Sequence, residues 1–227
     1  MSAAYINTQA LHNVLQNIKI HSPQPLQTKI IAVTKSFSHT AIIDAINHQI
    51  LCVGENQVQE FSKKKTYLGK YNFQSHLIGH LQSNKINKAL DLFDVIETVD
   101  SVELANKINA KLKSHNKKQS IYLQINIGQD PNKHGFSLHN IYQAAEKISN
   151  LKHLKLSGLM TILPYLIEPQ DTQPLYAQTR KIQEKIKSSI NLQCTQLSMG
   201  MSRDYVYALK EGATHIRIGT ALYGSRP

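Results

Sequence analysis

Short β-branched runs alternate with longer stretches of helical period along most of this chain, and that rhythm constrains the fold more than any other feature. Strands are read at KIIAVTK (29–35), LCVGEN (51–56), SHLIG (75–79), VIETV (95–99), IYLQINI (121–127), LKLSGLMTI (154–162), CTQLSM (194–199) and HIRIG (215–219). Each but the last precedes a helical stretch, at 39–49, 57–69, 83–92, 101–115, 137–149, 173–189 and 203–211. Parallel neighbours need a long crossover, usually a helix, so repeated βα units imply a parallel sheet. Eight such units predict an α/β fold closed as a (β/α)8 TIM barrel, with an open doubly wound sheet as the alternative. A lead-in helix precedes them, with Leu11, Val14, Leu15 and Ile18 at one-face spacing, and HSPQPLQ then breaks the chain. Residues 1–28 therefore read as lead-in helix and loop, and 1–227 as a single domain.

Composition narrows the class. With 41% hydrophobic and 18% charged residues, the chain reads as an ordinary soluble globular protein. It has no apolar run of the roughly 20 residues that a membrane span requires, and its start lacks the pattern of an export signal. Cys52 and Cys194 are too few for a disulfide scaffold and sit in runs read as buried strands, as reduced thiols of a cytoplasmic protein. The net charge of +11 raises the possibility of a polyanion partner. The lysines are nevertheless scattered along helical stretches, the densest cluster being Lys63, Lys64 and Lys65, so solvated helix faces are expected and no nucleic acid.

In a barrel of this kind the C-terminal strand ends converge on one mouth, where ligands bind. Here those ends read Thr34-Lys35, Glu55-Asn56, Gly79-His80, Asp100, Asn126, Met160-Thr161, Ser198-Met199-Gly200 and Arg217-Ile218-Gly219-Thr220. The last two sets follow the seventh and eighth strands, where barrels often hold a phosphate. Glycine lets an anion approach backbone N–H groups, Ser202 and Thr220 offer hydroxyls, and Ser202 is read as opening the helix at 203–211, whose N-terminus favours an anion. Lys35 ends an apolar strand, so its stem starts inside the barrel. Desolvation there lowers an ammonium pKa and favours the neutral amine that condenses with an aldehyde, although a lysine can also snorkel outward and attract anions. His76 and His80 stand four apart on a strand, roughly 13 Å, too far to share an ion. Glu55 and Glu60 could form a carboxylate pair, but one is read at a strand end and the other on a helix. No metal site is expected.

Eight motifs make the chain recognisable: VTKS (33–36), GENQVQE (54–60), HLIGHLQSNK (76–85), QINIG (124–128), KHGF (133–136), GLMTI (158–162), LSMGMSRD (197–204) and RIGTALYG (217–224). Together they resemble the pyridoxal 5′-phosphate (PLP) homeostasis family, single-domain relatives of the alanine racemase N-terminal barrel. The resemblance implies a barrel of alanine-racemase type and a covalent aldimine between PLP and Lys35. It implies that Ser202, Gly219 and Thr220 hold the phosphate, that Arg217 faces the pyridine nitrogen, that Asn56 lies beside the ring, and that His80 and Ser198 edge the pocket. Two positions depart from the family pattern, Gln57 where a tyrosine is usual and Ser75 where an aromatic often precedes the histidine.

An arginine cannot give up its proton, so at the ring nitrogen it disfavours ring protonation and weakens the electron sink. The racemases supply a catalytic tyrosine from a second domain, whereas this chain ends after its eighth strand. The expectation is therefore a carrier and buffer of the cofactor in vitamin B6 and amino-acid homeostasis, with no catalytic residues and no robust turnover. A minimal PLP-dependent amino-acid racemase is the alternative, with Tyr165 the one tyrosine suspected as a second base. The implied partners are PLP and related B6 phosphates and PLP-dependent client enzymes, with no membrane, and the chain a monomer or weak dimer.

Overall fold

A computed structural model describes residues 2–114, 116–164 and 167–225. The lead-in helix α1 (Thr8–His21) is followed by β1 (Lys29–Val33), α2 (His39–Asn47), β2 (Cys52–Glu55), α3 (Val58–Lys65) and β3 (Gln74–Leu77). Next come α4 (Ile86–Leu92), β4 (Val95–Val99), α5 (Val102–Lys113), β5 (Gln119–Ile125), α6 (Ile141–Ser149) and β6 (Leu154–Thr161). The final units are α7 (Gln173–Ser189), β7 (Gln196–Met201), α8 (Tyr205–Lys210), β8 (His215–Ile218) and the short α9 (Thr220–Tyr223). The strands form one closed parallel barrel in sequence order, and β1 completes it by pairing with β8, Ile31 opposite Arg217. The closed barrel was the expectation; the open sheet is excluded.

Parallel strands buried on both faces leave no alternating exposure, which is why these read as continuous apolar runs. Outward-facing Ile30, Ala32, Val53, Leu77, Ile96, Ile121, Leu123, Leu159, Leu197 and Ile216 join Ile42, Phe61, Ile86, Ile108 and Ile148 of the helices in one hydrophobic cluster. The main core is thus the layer between sheet and helices. The barrel interior is different. A small apolar group of Val95, Tyr122 and Met160 shares it with buried His76, Glu97, Ser198 and Arg217. At Gly54 a Cβ would come within 2.8 Å of Ile31 and 3.0 Å of Ile78, so glycine there lets three strands close over the interior.

Helix α1 buries Leu11, Val14 and Ile18, but Leu15 is 52% exposed, contrary to the one-face reading. Asn7 caps it by accepting from Ala10 N, and Asn17 donates to the Tyr205 hydroxyl at 2.7 Å, tying the helix to α8. Cys194 is buried yet precedes β7, which starts at Gln196, so the strand expected from 194 begins two residues later. Tyr165, suspected as a second base, lies outside the described residues.

Candidate functional site

Strand period decides which side chains reach the mouth. On β1, Ile31 and Val33 face inward, and Lys35 follows on the same side as the strand ends. Its backbone is fixed by a buried cluster on the helix side of the sheet. The Lys64 ammonium, 1% exposed, donates to Thr34 O at 2.9 Å and pairs with Glu55 Oε1 at 2.6 Å and Glu60 Oε1 at 2.7 Å. Thr34 Oγ1 also donates to Glu55 Oε1 at 2.6 Å. Glu60 Oε1 accepts from the Ser36 N–H at 2.7 Å, and Ser36 adopts φ 72°, a left-handed turn directly after the lysine. Both neighbours of Lys35 are therefore bound into one ion cluster. Burial pushes the Glu55 carboxyl above its usual range, against the opposing pull of Lys64.

Glu55 and Glu60, read from the sequence as unrelated, meet because Lys64 stands between them. Lys64 was expected on a solvated face with Lys63 and Lys65. Its signal was present: Val58, Phe61 and Lys64 occupy one helical face at spacing three, and all three are buried.

Arg217, 4% exposed, donates from Nη1 to Ser198 Oγ at 2.8 Å and from Nη2 to Thr161 O at 2.6 Å. Ser198 Oγ in turn donates to Glu97 Oε2 at 2.6 Å, and Glu97 Oε1 meets His76 Nδ1 at 2.7 Å. This chain crosses the barrel from β8 to β3. Burial would raise the Glu97 carboxyl, but His76, Arg217 and His215 outweigh it and hold it below its ordinary value. Sequence reasoning singled out Arg217 and Ser198 and missed Glu97, which only the closed barrel joins to them.

At the seventh and eighth strand ends, the Ser202 hydroxyl accepts from Gly219 N at 3.3 Å and Ala221 N at 3.2 Å. A Cβ at Gly219 would meet Val33 Cβ at 3.3 Å, which puts this turn against the strand that carries Lys35. Helix α8 starts at Tyr205, three residues beyond Ser202, and Asp204 instead accepts from Met201 N at 2.6 Å. The expectation that Ser202 opens that helix is thus corrected, because its hydroxyl bridges to the turn after β8. Thr220 stands exposed at the start of α9.

The other two expected residues divide. Asn56, half-buried, follows β2, and its backbone is so close to Gly79 that a Cβ there would lie 2.1 Å from Asn56 O. His80 points outward, its Nδ1 3.0 Å from Asp100 Oδ2 and its ring stacked 4.0 Å from that of His134. His76 and His80 do not meet, as their strand spacing required.

Comparison with known proteins places the chain in a family. Residues 6–227 match the family model of the alanine racemase N-terminal domain. The pyridoxal phosphate homeostasis protein of Synechocystis is 36% identical over 203 residues, covering 89% of this chain and 93% of that protein. The Aquifex aeolicus protein of the same name is 34% identical over 198 residues, 87% of each chain. This chain belongs to the pyridoxal phosphate homeostasis protein family. The solved structure of PipY from Synechococcus elongatus with PLP bound superposes with a TM-score of 0.83 at 34% identity, covering 93% of this chain and 100% of that one.

The family's cofactor suits the residues present. An amine stands at the end of an apolar strand, a fixed guanidinium lies deeper in the barrel, and two backbone N–H groups already converge on an oxygen at Ser202, the donor set a phosphate needs.

Proposed function

We propose that this family member binds PLP at the barrel mouth, covalently through the Lys35 amine, and carries and buffers it without robust turnover. The observation that carries the reading is the clamp on both neighbours of Lys35, Thr34 O through Lys64 and Ser36 N through Glu60. It fixes where the amine starts, and preorganisation of this kind favours one covalent attachment over random modification of the surface lysines. Ser202, Gly219 and Thr220 bind the phosphate, Asn56 and Ser198 border the ring, and His80 borders the opening.

When bound, PLP supplies an aldehyde that combines with amines and a ring that draws electrons from them. Two hydrogen bonds hold the Arg217 guanidinium in place. At the ring nitrogen such a cation opposes ring protonation, which suits storage of the cofactor better than catalysis. The names and the PLP-bound structure of the relatives support the same reading.

The purified protein is expected to be yellow, and borohydride reduction followed by peptide mapping is expected to place the adduct on Lys35, with Lys35→Ala colourless. A colourless protein, or an adduct confined to surface lysines, overturns the reading. Incubating the loaded protein with amino acids in deuterated water tests the absence of turnover: rapid exchange of the α-proton would make the chain a minimal racemase.

A further inference from the structure

A second cluster of chemically distinctive groups lies in the N-terminal half of the barrel, away from Lys35. Cys52 opens β2, His76 lies in β3 and His215 opens β8, and all three are buried. One ligand-capable atom from each, the Cys52 sulfur and one imidazole nitrogen from each histidine, lies within 4.8 Å of the other two. His76 is wholly buried, and its Nε2 has no hydrogen-bond partner, whereas its Nδ1 is held by Glu97 at 2.7 Å. A buried nitrogen without a partner costs free energy that a ligand would recover. Glu97 sits where a carboxylate orients a metal-binding histidine from behind.

We propose that Cys52, His76 and His215 form a binding site for a thiophilic divalent metal, Zn2+ in particular. One thiolate and two imidazoles are the donors such ions select, and they leave a fourth position open. Bonds of about 2.0–2.3 Å in tetrahedral geometry require the donor separations to shorten from their present values by up to about 1.4 Å.

Access comes from below the barrel. Cys52 and Gln74 both line a cavity of about 1060 Å³ between α1 and the N-terminal ends of β1–β3, and Gln74 Oε1 lies 3.8 Å from the Cys52 sulfur. The buried Glu97 carboxylate, bonded to His76 Nδ1, places negative charge beside the site. Binding of Zn2+ takes the thiolate and neutral imidazole forms of its ligands, so it releases protons. Lys29 and Arg217 add nearby positive charge, which Glu97 opposes. The other cysteine does not compete, because burial pushes the Cys194 thiol up to about 12.

The chelator-treated protein is titrated with Zn2+ against a chromophoric chelator, and with Co2+ as a spectroscopic stand-in. The expected result is one tight equivalent and a thiolate-to-cobalt charge-transfer band, both lost in Cys52→Ser and in His215→Phe. The loss of affinity should exceed the roughly 10–100-fold that removal of a supporting group costs. Zn2+ should also slow alkylation of Cys52 in the unmodified sequence, a readout that needs no variant to fold. His134→Ala tests the exposed His80, Asp100 and His134 group, whose donor atoms lie equally close, and should leave the tight equivalent in place. No tight equivalent, a band that survives Cys52→Ser, binding lost with His134→Ala, or unprotected Cys52 would each overturn the proposal.

Discussion

At the scale of single residues, Lys64 is the decisive side chain. Two carboxylates and a carbonyl converge on its buried ammonium, and Glu55 Oε2 is already without a partner. Lys64→Met is expected to lower stability by roughly 3–5 kcal/mol, because it leaves buried carboxylate charge unbalanced. Urea unfolding would measure it. Glu55→Gln in the Lys64→Met background should restore part of the loss, whereas a loss shared by Lys63→Met would refute the assignment to burial. Lys63 and Lys64 are indistinguishable by composition. They differ only in helical phase, and that phase was legible from Val58 and Phe61. What the phase could not reveal is that the buried face would meet Glu55, since a carboxylate at a strand end faces either layer depending on one residue of register.

At the scale of elements, the site is built by the loops that follow β1, β2, β7 and β8, and small residues set their approach. Gly200 has φ +87°, and a Cβ there would lie 2.6 Å from Ala208 Cβ. Gly200→Ala should therefore destabilise the β7–α8 turn by more than the roughly 1 kcal/mol of backbone strain alone, as a lower melting temperature. Ser202→Ala removes the acceptor of two N–H groups and, in the proposed site, a donor to the phosphate. Affinity for PLP should fall about tenfold or more, read by spectroscopic titration, with the fold retained. A variant that binds PLP as tightly as the unmodified protein would remove Ser202 from the phosphate site. The order and type of the eight strands and the helices between them were legible from the 3.6 and 2 residue periods, but the short α9 after β8 was not. Ends were less so: the strand expected at 194 starts at Gln196, because the turn at Asn191–Cys194 is held by backbone bonds no periodicity records.

At the scale of the whole molecule, the polar barrel interior ties stability to pH. Burial pulls the His215 pKa down to about 3, against the pull of Glu97 and with help from His76, Lys29 and Arg217, while His76 rises to about 9. Between about pH 3 and 6.5 the unfolded chain takes a proton at His215 that the native barrel refuses, so stability rises with pH. Between 6.5 and 9 the native barrel keeps a proton on His76 that the unfolded chain releases, so stability falls with pH. Thermal unfolding across pH 4–9 should give a maximum near 6.5, with the acid limb flattened in His215→Phe; a monotonic profile would contradict the pair. By itself the sequence determined the alternation of elements, the parallel sheet and the distinctive chemistry of its rim, because period and turn chemistry are properties of neighbouring residues. Only the tertiary structure decided which groups pair. Glu97 reaches His76 across 21 residues and Ser198 across 101, and Arg217 meets its partners once β8 closes onto β1. Such contacts follow from the closure and register of all eight strands, which no local stretch of chain encodes.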